Sequence, residues 1–408
     1  MDIQKKITDK NKVFGLTMLF MILYTVSYLT RVNYGAVISE IVKTEGIPKS
    51  DAALALTASA VTYGLGQIIS GYLGDKLNPK KLILFGMTVT ILMNLIIPFL
   101  SSPYAMSVVW GINGVAQAFM WPPLIRIMIT VFETEDYKRA CLVVSCAASL
   151  GTMIVYAISP ICILIGGWRL IFIFSAILAV IMAVVWTKKC PNVGKIKLSA
   201  ENANSQQHID FDLCIILGAT MLATALQGTL RDGVSTWMPS YVAETFHLDN
   251  KIAILTGVVL PLISIITTQI TGFIYRKIVK TELLLAAIMF GGGFVSSYVL
   301  FAADGVSAGL SVAMAAVLSG CMHGASWVMT SMIPPHFEKY GKISFVCGLL
   351  NCSTYIGSAV SAYGIARYSE NCGWRQTLLL WSFIALLGGI ICFVCGIFWK
   401  RSHNVNEF

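Results

Sequence analysis

Apolar runs of roughly 20 residues, the length a bilayer core demands, recur along this chain, each closed by a short polar turn. Twelve can be marked: 14–40, 51–73, 82–100, 103–131, 140–165, 168–187, 212–242, 250–275, 282–303, 305–333, 343–368 and 373–399. Twenty residues of α-helix rise about 30 Å, the thickness of the hydrocarbon region. The pattern therefore predicts an all-α membrane protein of twelve transmembrane helices. One long polar stretch interrupts the series after the sixth run, from Lys188 to Asp210, with Pro191, Gly194, Asn202, Asn204 and Ser205. It reads as a linker, 188–211, between two six-helix bundles, 1–187 and 212–408.

Composition excludes the water-soluble alternatives. Of 408 residues 56% are hydrophobic and 12% charged, and the mean hydropathy is +0.76, values of a polytopic membrane protein. The net charge of +9 resolves into a topological signal. With the N-terminus placed in the cytoplasm, 20 Lys and Arg residues fall on inside segments and 6 on outside ones, the other three being Arg31, Arg126 and Arg231 within helices. By the positive-inside rule both termini and the linker face the cytoplasm of a bacterial-type inner (plasma) membrane, and nucleic acid drops out as a partner. Met1 to Lys12 is polar and basic and the run after it is full length, so the first helix reads as an uncleaved anchor. The 11 cysteines are an odd number scattered through apolar runs, which reads as buried thiols rather than a disulfide or zinc framework. With no metal-ligand cluster, nucleophile elbow or phosphate-cradling loop, no metal, no cofactor and no enzymatic chemistry are expected. The lipid bilayer is the predicted surrounding, and the chain reads as a monomer.

An internal repeat supports the division into halves. Gly167-Trp168-Arg169 recurs as Gly373-Trp374-Arg375, 206 positions later, and Cys146 with Gly151 recurs as Cys352 with Gly357 at the same offset. Pro122-Pro123 is echoed by Pro334-Pro335, and Gly71-Tyr72-Leu73 by Gly272-Phe273-Ile274. Common order and similar offsets imply a duplicated six-helix unit, a plan used by transporters with a site at the repeat interface.

Arg31 is the chemically informative residue of the first helix. A centred arginine costs roughly 2.5–3.5 kcal/mol on insertion scales, so it faces a bundle interior or watery path. Tyr24, Tyr28 and Arg31 share one helical face. Its counterpart, Arg231, follows 200 positions later in the seventh helix. Two guanidiniums at equivalent places in pseudosymmetric halves are predicted to face each other across a central cavity as a clamp for an oxyanion, since each offers a planar fork matched to phosphate or carboxylate oxygens. The alternative is that a neighbouring acid neutralises each. Asp232 adjoins Arg231, but adjacent helical residues point about 100° apart, which favours the clamp. Polar and aromatic residues at i, i+4, i+7 mark further interior faces: Tyr63, Gln67 and Ser70; Ser145, Ser149 and Thr152; His323, Trp327 and Thr330; Asn351, Tyr355 and Ser358. Of these Tyr63, Gln67, His323, Trp327, Asn351 and Tyr355 are the ligand candidates, while the serines and threonines read as helix-packing glue. Arg126 is expected to pair with Glu133, Glu135 or Asp136. The loop from Gly71 to Lys81 carries Asp75 and Lys76, which can pair with neighbouring helix ends and break that pairing as bundles rock; the alternative is an ordinary basic turn.

This loop closely resembles the cytoplasmic signature of the major facilitator superfamily, and helix count, duplicated halves and linker are similar to that fold over nearly the whole chain. Within it the chain resembles the organophosphate:phosphate antiporters. The shared features are Tyr-Leu-Thr-Arg31-Val-Asn33, Tyr63-Gly64, Trp121-Pro122-Pro123 followed by Arg126, Leu230-Arg231 with Trp237 and Pro239, and Tyr355 before Gly357. The resemblance implies that Arg31 and Arg231 hold phosphate and that Tyr24, Tyr28, Tyr63, Trp121 and Tyr355 line the pocket; Asp75, Lys76 and Arg126 are read as gating residues from their place at the cytoplasmic helix ends. The chain departs from the glycerol-3-phosphate transporters at Gln67, where they carry lysine, and at Ala148, where they carry histidine. With less positive charge the implied substrate widens to a less charged phosphate ester, a sulfonate or a sugar acid. The expected function is alternating-access transport of a small organic anion, most simply an organophosphate exchanged for inorganic phosphate, because two unneutralised cations would slow the empty carrier. The rivals are proton-coupled symport of a carboxylate or sugar acid, through Glu40, Asp232 or His323, and a non-transporting sensor on a carrier fold.

Overall fold

A computed structural model describes residues 6–192, 211–247 and 250–402. The named elements among these residues are all helices, and one isolated β-bridge joins Ile7 to Phe132. The first half runs α1 (Lys10–Glu45), α2 (Lys49–Lys76), α3 (Pro79–Ile96), α4 (Pro103–Ala118), α5 (Trp121–Val131), α6 (Thr134–Ser145), α7 (Ala147–Gly166) and α8 (Arg169–Lys189). The second runs α9 (Phe211–Phe246), α10 (Asn250–Lys277), α11 (Glu282–Ala302), α12 (Ala308–Trp327) and α13 (Ile343–Ser402). Eleven stretches of the described residues are long and apolar enough to cross a membrane, and the predicted span 250–275 is the 28-residue helix α10. The polar linker lies mostly outside the described residues.

Where the helices depart from the predicted spans, the chain itself supplies the reason. The fourth span breaks between α4 and α5, just ahead of Pro122-Pro123. A proline removes an amide donor and crowds the preceding turn. The tenth span loosens into a π-helical turn, Val328–Met332, before Pro334-Pro335. The last two spans are joined in α13, where Gly373 interrupts the helix at φ 81°, ψ 167°. Gly167 turns the chain into α8 with φ 73°, ψ −178°, so the Gly-Trp-Arg repeat recurs as a backbone conformation that glycine alone adopts easily.

The described residues form two compact units. One takes those of Met1–Gln206 together with Phe337–Cys352, the other those of Gln207–His336 and Ser353–Phe408. This division departs from the sequence halves: the start of α13, expected with the second bundle, packs in the first unit, where it meets the end of α2. Within the first unit α1 packs on α7 and α8, α2 on α4, and α3 on α8. Tyr34, Trp110, Trp168 and Phe172 knit the ends of α1, α4 and α8, with Tyr34 and Trp110 ring centroids 5.4 Å apart and Trp110 and Phe172 5.6 Å apart. Within the second unit α12 packs on α9, α10 and α11.

The duplication is also visible in how each unit is fastened. In the first unit the Trp168 indole donates to Glu45 Oε1 at 3.3 Å. In the second, Trp374 donates to Glu244 Oε2 at 2.6 Å. Helix crossings repeat as well: a Cβ on Gly151 would press on Tyr28 and on the carbonyl of Thr25, and one on Gly357 would overlap the carbonyl of Ala225. Thr25 and Ala225 are 200 positions apart, like the two arginines they precede. Of the cysteines, eight are buried, whereas Cys214 and Cys372 are exposed and Cys146 is half-buried, so the expectation of buried thiols fails at three positions.

Candidate functional site

In the first unit α1 carries Arg31 into an aromatic setting. The guanidinium carbon lies 3.6 Å from the ring centroid of Tyr63 on α2 and 5.4 Å from that of Tyr28. Both distances are within the range of cation–π attraction, which strengthens as water is removed. Tyr28 meets Tyr24 edge-on at 5.3 Å, and Tyr24 meets Trp121 of α5 at 4.8 Å. Four of the predicted aromatic residues are thus brought together around the Arg31 face. Gln67, one turn beyond Tyr63 on α2, is fully buried, and neither amide atom has a hydrogen-bond partner among the described residues. Asn351, at the start of α13, is turned back on its own helix and donates to Cys347 O at 3.0 Å.

In the second unit Arg231 is balanced by a carboxylate. Its Nε donates to Asp232 Oδ1 at 2.6 Å and its Nη2 to Oδ2 at 2.9 Å, a bidentate, charge-assisted pair of the strong class. Adjacency along the helix does not keep Arg231 and Asp232 apart, contrary to the expectation from helical angles. Two Cβ atoms 100° apart leave room for a long arginine to sweep back along the helix surface, and consecutive residues differ in height by only about 1.5 Å. The hydroxyl of Ser358 on α13 donates to Asp232 Oδ2. His323 on α12 is within electrostatic reach of both charges, and its Nδ1 lies 2.9 Å from Ser319 O. Trp327 is buried and stands edge-on to Tyr275 at 6.0 Å. Tyr355 is half-buried on the same α13 stretch as Ser358. At Gly228, the position equivalent to Tyr28, no side chain exists to wall in the arginine.

The loop residues are arranged differently from expectation at one point. Asp75 accepts from the backbone N–H of Ser344 and of Phe345, both at 2.8 Å, and so caps the first turn of α13 as a carboxylate does at a helix N-terminus. Arg126 does not pair with Glu133, Glu135 or Asp136. It is fully buried and donates to the carbonyls of Gly74 and Leu77, because the carbonyls ending α2 are orphaned acceptors. Asp136 instead takes Lys10 at 2.9 Å, and Glu135 takes Lys138. Lys76 turns onto Tyr72, contacting its hydroxyl and ring.

Sequence reasoning missed the polar core behind Arg31. Ser27 donates to Gln117 at 2.6 Å, Gln117 donates to Thr30 Oγ1 at 2.9 Å, and Asn33 donates to Asn94 at 2.8 Å. Asn94 and Asn113 both donate to the carbonyl of Thr30 at 3.1 Å. This network binds α3 and α4 to the very turn of α1 that bears Arg31, and so sets that turn's height and rotation. The available signal was the recurrence of single amides, Asn94, Asn113 and Gln117, inside otherwise apolar runs.

Three comparisons bear on this arrangement. A family model described as Major Facilitator Superfamily matches residues 20–362. The chain is 22% identical over 398 residues to the membrane sensor protein UhpC of Salmonella typhimurium, covering 90% of this chain and 87% of that protein. It is 28% identical over 167 residues to the glycerol-3-phosphate transporter of Bacillus subtilis, covering 39% and 37%. Among solved structures the E. coli fucose:proton symporter FucP superposes with a TM-score of 0.74 at 12% identity over 95% of this chain and 99% of that one, a likeness of fold.

Proposed function

The chain belongs to the major facilitator superfamily, and from that premise we propose that this multi-pass secondary transporter moves small organic anions, phosphate esters foremost, in exchange for inorganic phosphate. The observation that carries the reading is Arg31, set in a membrane-spanning helix with its guanidinium on the face of Tyr63. A cation kept there at a cost of roughly 2.5–3.5 kcal/mol has a use, and an oxyanion matches its fork. Arg231 is the equivalent cation of the second unit. Similarity to a glycerol-3-phosphate transporter over part of the chain agrees with the phosphate class, and the uncharged Gln67 favours esters of lower charge. Tyr24, Tyr28, Tyr63 and Trp121 would pack against the organic portion, with His323, Trp327, Asn351 and Tyr355 as contributors from later helices. Asp75, Lys76 and Arg126 would serve the gating step at the end of α2, with both termini cytoplasmic.

Arg231 is already paired with Asp232, so two bare cations no longer bar the empty carrier, and exchange rests on the likeness to phosphate-ester carriers. Purified protein in liposomes tests it: labelled phosphate should enter vesicles loaded with unlabelled phosphate or a sugar phosphate. Equal uptake into vesicles free of internal anion would remove exchange. Undiminished transport by Arg31→Lys would remove the arginine from recognition.

One finding favours a second reading. A relative that matches 90% of this chain is a membrane sensor by name. A sensor would bind the same anions without flux, so ligand-induced thermal stabilisation accompanied by no counterflow at any loading selects it.

A further inference from the structure

Asp232 occupies Arg231 in the manner of a bound oxyanion. Both carboxylate oxygens lie on the guanidinium, at 2.6 and 2.9 Å, and this is the two-pronged contact that a phosphate or carboxylate solute would make. The pair stays accessible, with side-chain exposures of 16% for Arg231 and 36% for Asp232. The first unit is built otherwise: Tyr28 and Tyr63 flank Arg31, and the residue after Arg31 is Val32. Within its unit the charged or titratable groups that reach Asp232 are Arg231 on the same helix and His323 on α12, and α13 adds the hydroxyl of Ser358.

We propose that Asp232 is a tethered counter-ion that the transported anion must displace from Arg231, and that its carboxylate takes up a proton from water when displaced. The inference rests on the anion reading of this protein. Asp232 holds the Nε–Nη2 edge of Arg231, so a solute that takes that same edge and the Arg231–Asp232 pair exclude each other. Once displaced, Asp232 is left beside the incoming negative charge, which favours its neutral, protonated form. Linkage then requires the reverse: protonating Asp232 releases Arg231 and tightens anion binding. A proton would thus accompany each anion that occupies Arg231 during exchange. Ser358 stabilises the paired form by holding Oδ2.

The test is the phosphate affinity of full-length protein in detergent, by isothermal titration with inorganic phosphate, for wild type and Asp232→Asn at pH 8 and pH 5. Comparing the two proteins at each pH cancels the ionisation of phosphate itself. Removing the competitor should tighten binding on the order of tenfold at pH 8, given that a charged hydrogen-bonded pair is worth about one such factor. The advantage should be smaller at pH 5 than at pH 8. A residue that merely positions Arg231 would behave oppositely, its loss weakening binding at both pH values. Should Asp232→Asn not fold, Ser358→Ala is expected to tighten phosphate binding a few-fold at pH 8, and weaker binding there overturns the proposal. Wild type that binds phosphate with no gain in Asp232→Asn overturns this inference alone. No binding of phosphate, a sugar phosphate or a sulfonate to either protein overturns the anion reading along with it.

Discussion

Gln67 makes a quantitative prediction because its side chain is both fully enclosed and unbonded. It is 0% exposed, and neither Oε1 nor Nε2 has a partner among the described residues. A buried polar group without a hydrogen bond costs about 1–3 kcal/mol. Replacing the amide by an apolar chain of equal length removes that cost, and volume-conserving exchanges add less than about 1.5 kcal/mol of packing strain. Gln67→Met is therefore expected to stabilise the ligand-free protein by about 2 kcal/mol. At about 2–4 °C per kcal/mol for a unit of some 200 residues, the melting temperature in detergent should rise by several degrees. If the amide is kept for solute, the same variant loses most of the additional stabilisation that phosphate or a sugar phosphate confers on wild type, since that increment follows occupancy. A lower melting temperature for ligand-free Gln67→Met would refute the accounting, because it would mean that the amide is satisfied in the folded protein.

Two further expectations concern the fastenings of the helices. Burial pushes the Glu45 carboxyl up, but hydrogen bonds from Ser101, Arg169 and Trp168 and the charge of Arg169 outweigh it and hold the group below the usual carboxylate range. Its contribution to stability is thus complete above the unfolded value, about pH 4.3 for a glutamate, and is lost as pH falls through the lower folded value. Wild type should therefore melt progressively lower on acidification through that window, and Glu45→Gln should flatten this part of the profile. Gly357→Ala forces a methyl into the carbonyl of Ala225 and should destabilise by about 1–3 kcal/mol. Gly218→Ala, where no atom lies within 4 Å, should gain roughly 0.5–1 kcal/mol from helix propensity; a matching loss in both would discount the crossing.

Much of the fold was legible because a bilayer leaves the backbone few options: each apolar run must satisfy its own amides, and helices do so. The breaks were legible in kind but not in place, since prolines announce a disturbance without saying whether it becomes a gap, as before Pro122, or a π turn, as before Pro334. Arg31 and its tyrosines followed from helical spacing. Arg231 and Asp232 did not, because spacing fixes where Cβ atoms point and says little of where a long, flexible side chain ends. Arg126 was misassigned for a related reason. Its partners are main-chain carbonyls at the end of α2, and these carry no sequence signature, whereas nearby acids are conspicuous and were already claimed by Lys10 and Lys138. The assignment of Phe337–Cys352 to the first unit was likewise invisible, since it depends on glycines of α2 admitting a helix from far along the chain.

The paired crossings at Gly151 and Gly357 have a bearing on the protein's ancestry. The close crossings recur at equivalent positions of the two halves, yet the residues beside the two arginines differ: Tyr28 corresponds to Gly228, and Val32 to Asp232. Carriers of new selectivity can arise from such a plan by changes within one turn of the first helix of either half, and ancestral reconstruction of that turn alone is a compact way to retrace how the two arginines came to be balanced differently.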